Sequence, residues 1–399
     1  MTLPFRLLFW LLPRLMLGLA LWRLLRRETL RDLNQRLGGS PAAGAIWVHG
    51  ASNGELASAR WVIEALAAQG PVLVTASTVT GRDMVAGWGL PGVRVSLAPL
   101  DLGLALRRFL RQPPCALINL EAEFWPHRFT MLRARGLPFA LIGARMSERS
   151  ARFWGRAGLG FLQGAALVSA QDSQTAERLA ALGLAPGPVF DLKAAATARL
   201  PQPTWAPRGQ RARVLLAAST HAGEEALILD ALAPPFDLLI LAPRHPRRGD
   251  AVAKLIAARG LTFGRRSRGE MPAVAQSSAP QTTGPRVFLA DTMGEMDLWY
   301  AMAGACFVGG SLVDKRGHTP WEPARHGAAI LHGPHVANFQ AAYATLQAKG
   351  AALPWSPAAL TALDGATQDR MAQAAAACLA QSGDGTALIA ALLSLIARK

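Results

Sequence analysis

A serine and a glutamate three residues apart, Ser52 and Glu55, lie in the stretch HGASNGELASAR, just ahead of an amphipathic run. Ser-x-x-Glu is the pattern of a capping box, in which both side chains satisfy backbone N–H groups at a helix start. A carboxylate delivered at such a turn also has the chemistry of a general base. Further along, EAEFWP offers Glu121 and Glu123, two apart, which an extended backbone presents on one face. RMSERS follows with Arg145 and Arg149. In the second half, STHAGEEA places Ser219 and Thr220 at a strand-to-helix turn, a natural site for an anion. RHPRR supplies Arg244, His245 and two more arginines, and a guanidinium matches phosphate geometry. Two more capping-box patterns, Thr292 to Glu295 and Thr319 to Glu322, fall at later turns, the second with Pro320 in the favoured first helical position. Gly309 and Gly310 let a backbone approach a ligand closely. His318 by itself reads more readily as structural than as catalytic. A cap accounts for each box locally. It does not account for acids, arginines and glycines clustering at strand ends in both halves, which suits a nucleotide-type ligand held between two sheets.

The elements that must carry these residues alternate short apolar runs with helical stretches. Residues 45–49, 71–77, 93–99, 115–121 and 138–144 read as buried parallel strands, with shorter ones near 166 and 188. ELASARWVIEALAAQ reads as one helix. Residues 200–213, rich in Pro, Arg and Gly, read as a linker. The rhythm restarts at residues 214–219, 237–243, 286–291, 305–310 and 328–334, with a polar insert at 265–285 and helices dominating after about 336. Two runs of βα units predict an α/β fold of two doubly wound domains facing a cleft, with ligands beyond the carboxyl ends of the strands.

The formal charge of +16 over 399 residues implies an anionic partner: nucleic acid, anionic lipid or a phosphorylated substrate. Scarce tyrosine, and tryptophans in apolar runs or turns, argue against nucleic acid, which needs stacking aromatics beside the basic patch. Cys115, Cys306 and Cys378 lack metal-ligand spacing and read as reduced, buried thiols. The N-terminal MTLPFRLLFWLLPRLMLGLALWRLLRR is apolar but interrupted by Arg6, Arg14 and Arg23, as in a marginal span or an in-plane anchor on the cytoplasmic leaflet, where its arginines meet anionic lipid.

HGASNGE, EAEFWP, ARMSERS, STHAGEE, PRHP, DTMGEMDLWYAMAGACFVGGSLV, GHTPWEP and GPHVANF occur in this order over nearly the whole chain. Together they closely resemble the bacterial 3-deoxy-D-manno-octulosonic acid (Kdo) transferases. The resemblance implies a GT-B fold of two Rossmann-like domains: an anchor over residues 1–38, an acceptor domain over 39–200 and a CMP-sugar donor domain over 201–399. It implies CMP-Kdo as donor, a phosphorylated lipid A precursor as acceptor, inversion at the anomeric carbon, no cofactor and no catalytic metal. It places the enzyme on the cytoplasmic face of an inner membrane, with no obligate protein partner. By motif, Glu55 matches the family's general base, and Glu123 and Lys193 match groups assigned to transition-state stabilisation. Pro243, Arg244, Met293, Gly294, Glu295, Thr319, Pro320, Trp321 and Glu322 match the cytidine phosphate site. Ser52, Arg145, Ser219 and Thr220 join them as further candidates. The chain departs from the family pattern at Thr319, where Asn is usual, and around Lys193, which lacks the usual Gly-Asn before it. The alternative is another membrane-associated GT-B transferase using a different nucleotide sugar.

Overall fold

The computed structural model describes residues 28–121, 123–198, 208–272, 287–381 and 385–397, together with Gly18. Apart from Gly18, the apolar part of the expected anchor, residues 1–27, lies outside the described residues. The chain divides into two compact units, Met1–Ala196 with Gly383–Lys399, and Thr197–Ser382. The division falls close to the expected boundary, but the C-terminal segment returns to the first unit instead of completing the second.

In the first unit six strands, β1 (Ile46–Gly50), β2 (Val72–Ala76), β3 (Val93–Leu97), β4 (Ala116–Leu120), β5 (Phe139–Ala144) and β6 (Leu167–Ala170), form a parallel sheet in the order β3-β2-β1-β4-β5-β6. β1, β2, β4 and β5 are buried at every residue, as strands covered on both faces must be. The pleat sends Trp47, Leu117 and Leu141 into one core and Val48, Ile118 and Ile142 into the other. The chain builds outward from β1 to β3, then crosses back to β4 beside β1. That switch point leaves a crevice at the carboxyl ends of β1 and β4.

The second unit repeats the plan with seven parallel strands: β7 (Val214–Thr220), β8 (Leu238–Pro243), β9 (Phe263–Arg265), β10 (Val287–Leu289), β11 (Ala305–Val308), β12 (Ala329–His332) and β13 (Ala352–Pro354). Their order is β13-β12-β11-β7-β8-β10-β9, with the switch point between β7 and β11. Leu215, Leu239, Leu241, Phe307 and Leu331 pack together on one face. β9 and β13 are three residues each and carry too short a pattern to read from sequence. The strand expected near residue 188 does not form.

Several local expectations change. The helix expected over ELASARWVIEALAAQ is two helices, Asn53–Ser58 and Arg60–Ala67, broken at Ala59. The linker's far end is not loose. Arg208–Arg211 is helical, and the buried Arg211 donates to the carbonyls of Ala303 (2.7 Å) and His326 (2.6 Å). The polar insert begins inside β9 and the Arg266–Arg268 turn, and residues 273–286 lie outside the described residues. Cys115, Cys306 and Cys378 are buried and unbridged. Among the described residues one segment, Gly365–Ala397, has the length and composition to cross a membrane, and its described helices are Gly365–Gln381 and Thr386–Ala397. Its last part, Thr386–Ala397, buries Leu388, Leu392 and Leu395 in the first unit's core beside Val62 and Ile63.

Candidate active site

At the first sheet's switch point, β1 runs through Ala51 into Ser52, the N-cap of Asn53–Ser58. Ser52 Oγ accepts the Glu55 N–H at 3.3 Å. Glu55 does not complete the box on the Ser52 N–H. Its Oε2 accepts the Ala51 N–H at 2.7 Å, and its Oε1 accepts the Ser52 hydroxyl at 3.0 Å. Two donors thus fix a carboxylate that remains partly open to solvent. Burial pushes Glu55 up to about 7, the Glu121 and Glu123 charges add to the rise, and the Ala51 and Ser52 hydrogen bonds oppose it.

Glu121 and Glu123 do not share a face. Glu121 adopts a left-handed backbone, φ 49°, directly after β4, which breaks the two-residue alternation of a strand. The buried Glu121 carboxylate pairs with Lys193 Nζ at 3.2 Å. Glu123 turns the other way and accepts from Trp125 Nε1 at 2.6 Å, with His49 Nε2 at 3.4 Å. His49 is wholly buried, and burial together with the Arg128 charge drops it to about 4, so it is neutral. The ring stands between two acceptors, the Glu123 carboxylate at Nε2 and the Thr75 carbonyl oxygen at Nδ1 (3.1 Å). Nδ1 also lies 3.0 Å from the Thr75 hydroxyl, which accepts from Trp47 Nε1 (2.7 Å). Burial works against ionisation of Glu123, but the His49 and Trp125 N–H groups and the Arg128 charge outweigh it and hold the carboxyl well below the usual range. Arg128 is itself placed by Asp101, whose carboxylate accepts the His127 (3.0 Å) and Arg128 (2.7 Å) N–H groups and caps Pro126–Ala134 from outside the helix. Two carboxylates at one switch point thus differ in kind: Glu123 is a fixed anion, and Glu55 is poised to exchange a proton near neutrality. Arg145 follows β5 directly at this edge and is half-buried.

In the second unit a cavity of about 440 Å³ opens at the carboxyl ends of β7 and β11, lined by Ser219, Arg244, Gly294, His318, Thr319 and Glu322 among others. Ser219 has φ 56°, a bend that carries the chain off β7. A Cβ on Gly309 would lie 2.4 Å from the Ser219 carbonyl oxygen, so only glycine allows this approach. The next turn is held from within by Glu224, a wholly buried carboxylate. It accepts the N–H groups of His221 (2.8 Å), Gly310 (2.7 Å), Ser311 (2.9 Å) and Leu312 (2.9 Å). Glu322 accepts from the Tyr300 hydroxyl at 3.1 Å. Arg244 is exposed at the cavity, and its guanidinium has no ion-pair partner among the described residues. A cationic fork beside glycine turns at a switch point is built to receive an anionic ligand.

The family described as 3-deoxy-D-manno-octulosonic-acid transferase matches residues 31–194. The Kdo transferase of Bordetella pertussis is 36% identical over 82% of this chain and 80% of the relative. That of Haemophilus influenzae is 33% identical over 75% of this chain and 73% of the relative. The chain belongs to the Kdo transferase family. It is a glycosyltransferase. A solved Anabaena protein in complex with UDP and glucose shares the fold, with a TM-score of 0.56 at 10% identity over 89% of this chain and 100% of that chain. The fold is therefore α/β and GT-B-like.

In this Kdo transferase the motif residues divide by what they touch. Ser219, Arg244, Gly294, Thr319 and Glu322 line the cavity, whereas Pro243, Met293, Glu295, Pro320 and Trp321 do not. Met293 is exposed, and Pro320 and Trp321 are buried. Thr292 and Glu295 do meet, the Thr292 hydroxyl donating to the Glu295 carboxylate, but they form no capping box: the helix begins after Glu295, at Met296, and Glu295 also pairs with Arg266 at 2.7 Å. The Thr319–Glu322 box does not form either. Pro320 precedes Trp321–Arg325 instead of opening it, and Glu322 turns to Tyr300. Thr220 faces inward and donates to the buried Glu225 at 2.8 Å. A true capping box joins Thr29 and Asp32 ahead of Leu30–Arg36, where a short aspartate stands in for the usual glutamate and hid the pattern. Sequence reasoning also missed His49, Met296 and Tyr300. For the last two a signal existed, since residues four apart share a helix face.

Proposed function

We propose that this transferase moves Kdo from CMP-Kdo to a hydroxyl of a phosphorylated lipid A precursor, with inversion and without a catalytic metal. The observation that carries the reading is Glu55, a carboxylate lifted to about 7 and fixed by Ala51 and Ser52 at the carboxyl edge of β1. Such a group is half ionised at neutral pH, where a general base works best. The acceptor oxygen attacks the anomeric carbon, and its proton passes to Glu55. The bond from that carbon to the phosphate oxygen breaks, and its electron pair leaves with CMP. A single displacement of this kind inverts the centre. Glu123 supplies a permanent anion that complements positive charge developing on the sugar ring, while Lys193 holds the neighbouring Glu121. In the second unit Arg244 and the glycine turns receive the phosphate, and a guanidinium meets the leaving group's charge without a metal. The arginine-rich apolar residues 1–27 suit anchorage at the anionic cytoplasmic surface of the inner membrane, where a lipid acceptor resides.

The test is transfer by the purified full chain from CMP-Kdo to a lipid A precursor, with UDP-N-acetylglucosamine as the competing donor. Product from CMP-Kdo alone is expected. Product from the UDP sugar alone overturns the donor assignment.

A further inference from the structure

Three imidazoles stand at the carboxyl ends of three neighbouring strands: His221 after β7, His245 after β8 and His318 beyond β11. His221 and His318 have nearly parallel planes, 9° apart, with ring centroids 5.3 Å apart and the two Nε2 atoms only 3.0 Å apart. The contact is therefore edge to edge, nitrogen to nitrogen. One Nε2 must carry a proton and the other a lone pair, so the rings share a single proton between them. Gly310 leaves the room this needs, since a Cβ there would lie 3.3 Å from His318 Nε2.

Of the pair, His318 lines the cavity and His221 does not. The pair's surroundings are cationic. Arg248, Lys315 and His245 face His221, and Arg244 and His245 face His318. Two buried acids oppose these charges: Glu224, engaged by four backbone N–H groups, and Glu225, which pairs with Arg248 at 2.6 Å. Burial lowers both imidazoles, His318 to about 4, and these cations add to the effect. The pair is thus neutral while the cavity holds no anion. An anion beside Arg244 reverses the local field and favours the charged form, in which one ring keeps the N–H···N bond and the other gains a second N–H donor.

We propose that His221 and His318 act as one unit that takes up a proton when an anionic group of the donor enters the cavity, so that donor binding is coupled to proton uptake. This rests on the donor-site reading of the second unit. The anion is either the nucleotide phosphate or the sugar carboxylate, and both offer the same chemistry to an imidazolium. Affinity then strengthens as pH falls, by about tenfold per pH unit where uptake is complete.

The experiment is calorimetric titration of the full chain with cytidine, CMP and free Kdo between pH 6 and 7.5, in buffers of different ionisation enthalpy, which counts protons directly. CMP carries its own ionisation near pH 6, so wild type is compared with His221→Gln and His318→Gln, for which that contribution is the same. The expected result is uptake in wild type that both variants lack. Its appearance with CMP assigns the phosphate as trigger, its appearance with Kdo alone assigns the carboxylate, and cytidine gives none. Binding without this uptake overturns the proposal. So does loss in His318→Gln but not in His221→Gln, which identifies a lone imidazole. Absence of any CMP binding removes the donor-site reading, and this proposal with it. Should a variant fail to fold, NMR of wild type decides, since both imidazoles must shift together on titration with the anion.

Discussion

Replacing Glu55 with Gln separates a helix cap from a general base. The amide oxygen can still accept the Ala51 N–H, and the amide nitrogen can donate to Ser52 Oγ, so the turn keeps its geometry. What is lost is the titrating charge. The Glu55 carboxyl rises from an ordinary 4.5 to about 7 in the folded chain, chiefly through burial. A carboxyl raised in this way costs stability when ionised. The cost is absent below the unfolded value near 4.5, grows between 4.5 and 7, and is complete above 7. At about 1.4 kcal/mol per pH unit, reduced for the partly exposed carboxylate, it comes to about 2 kcal/mol. Glu55→Gln therefore melts with wild type near pH 4.5 and about 6 °C above it at pH 8. Transfer activity falls on the order of a thousandfold, and the acidic limb near pH 7 in the wild-type rate profile disappears with it. Melting curves across the pH range and a transfer assay on the same preparation read both effects. A variant that melts below wild type at pH 8, or that keeps its activity, refutes the reasoning. In the second case Glu123 becomes the first alternative base.

Two further perturbations test the second unit. Arg244→Ala leaves the melting temperature within a degree of wild type, because the exposed guanidinium has no ion-pair partner to lose, and weakens CMP binding roughly tenfold or more. Unchanged CMP affinity removes Arg244 from the site. Glu224→Ala strands four N–H groups on a buried carboxylate's vacated position and destabilises by about 3 kcal/mol or more. Denaturant unfolding within 1 kcal/mol of wild type contradicts this, by the expected scatter of such costs.

Legibility in the sequence followed burial. Strands β1, β4, β5, β7 and β8 were plain because a parallel strand covered on both faces is a nearly continuous apolar run. The alternation of strand and helix, hence two doubly wound sheets, came with them. So did the placement of Glu55, Ser219 and Arg244 after strand ends. The short β9 and β13 escaped because three residues cannot set a period. Of the three boxes read as caps, only the one at Ser52 caps its helix, and there Glu55 reaches one residue further back than the pattern requires. A cap motif reports a local preference of a fraction of a kcal/mol to about 2 kcal/mol. Glu295 had a charged partner in Arg266, and Glu322 had a buried hydroxyl in Tyr300, each supplied from elsewhere in the chain.

The sequence by itself determined the fold class, the strand ends where chemistry gathers, and the family. Only the tertiary structure decided the state of each acid there. Glu121 and Glu123 are two residues apart in EAE, yet one pairs with Lys193 and the other with His49 and Trp125, because a left-handed backbone at Glu121 turns them apart. Nor does spacing reveal that Glu55 titrates near 7 while Glu123 stays an anion. That difference arises from burial, from neighbouring charges and from partners at β1 and in the loop after β4, and a side chain's charge is set by what surrounds it in space.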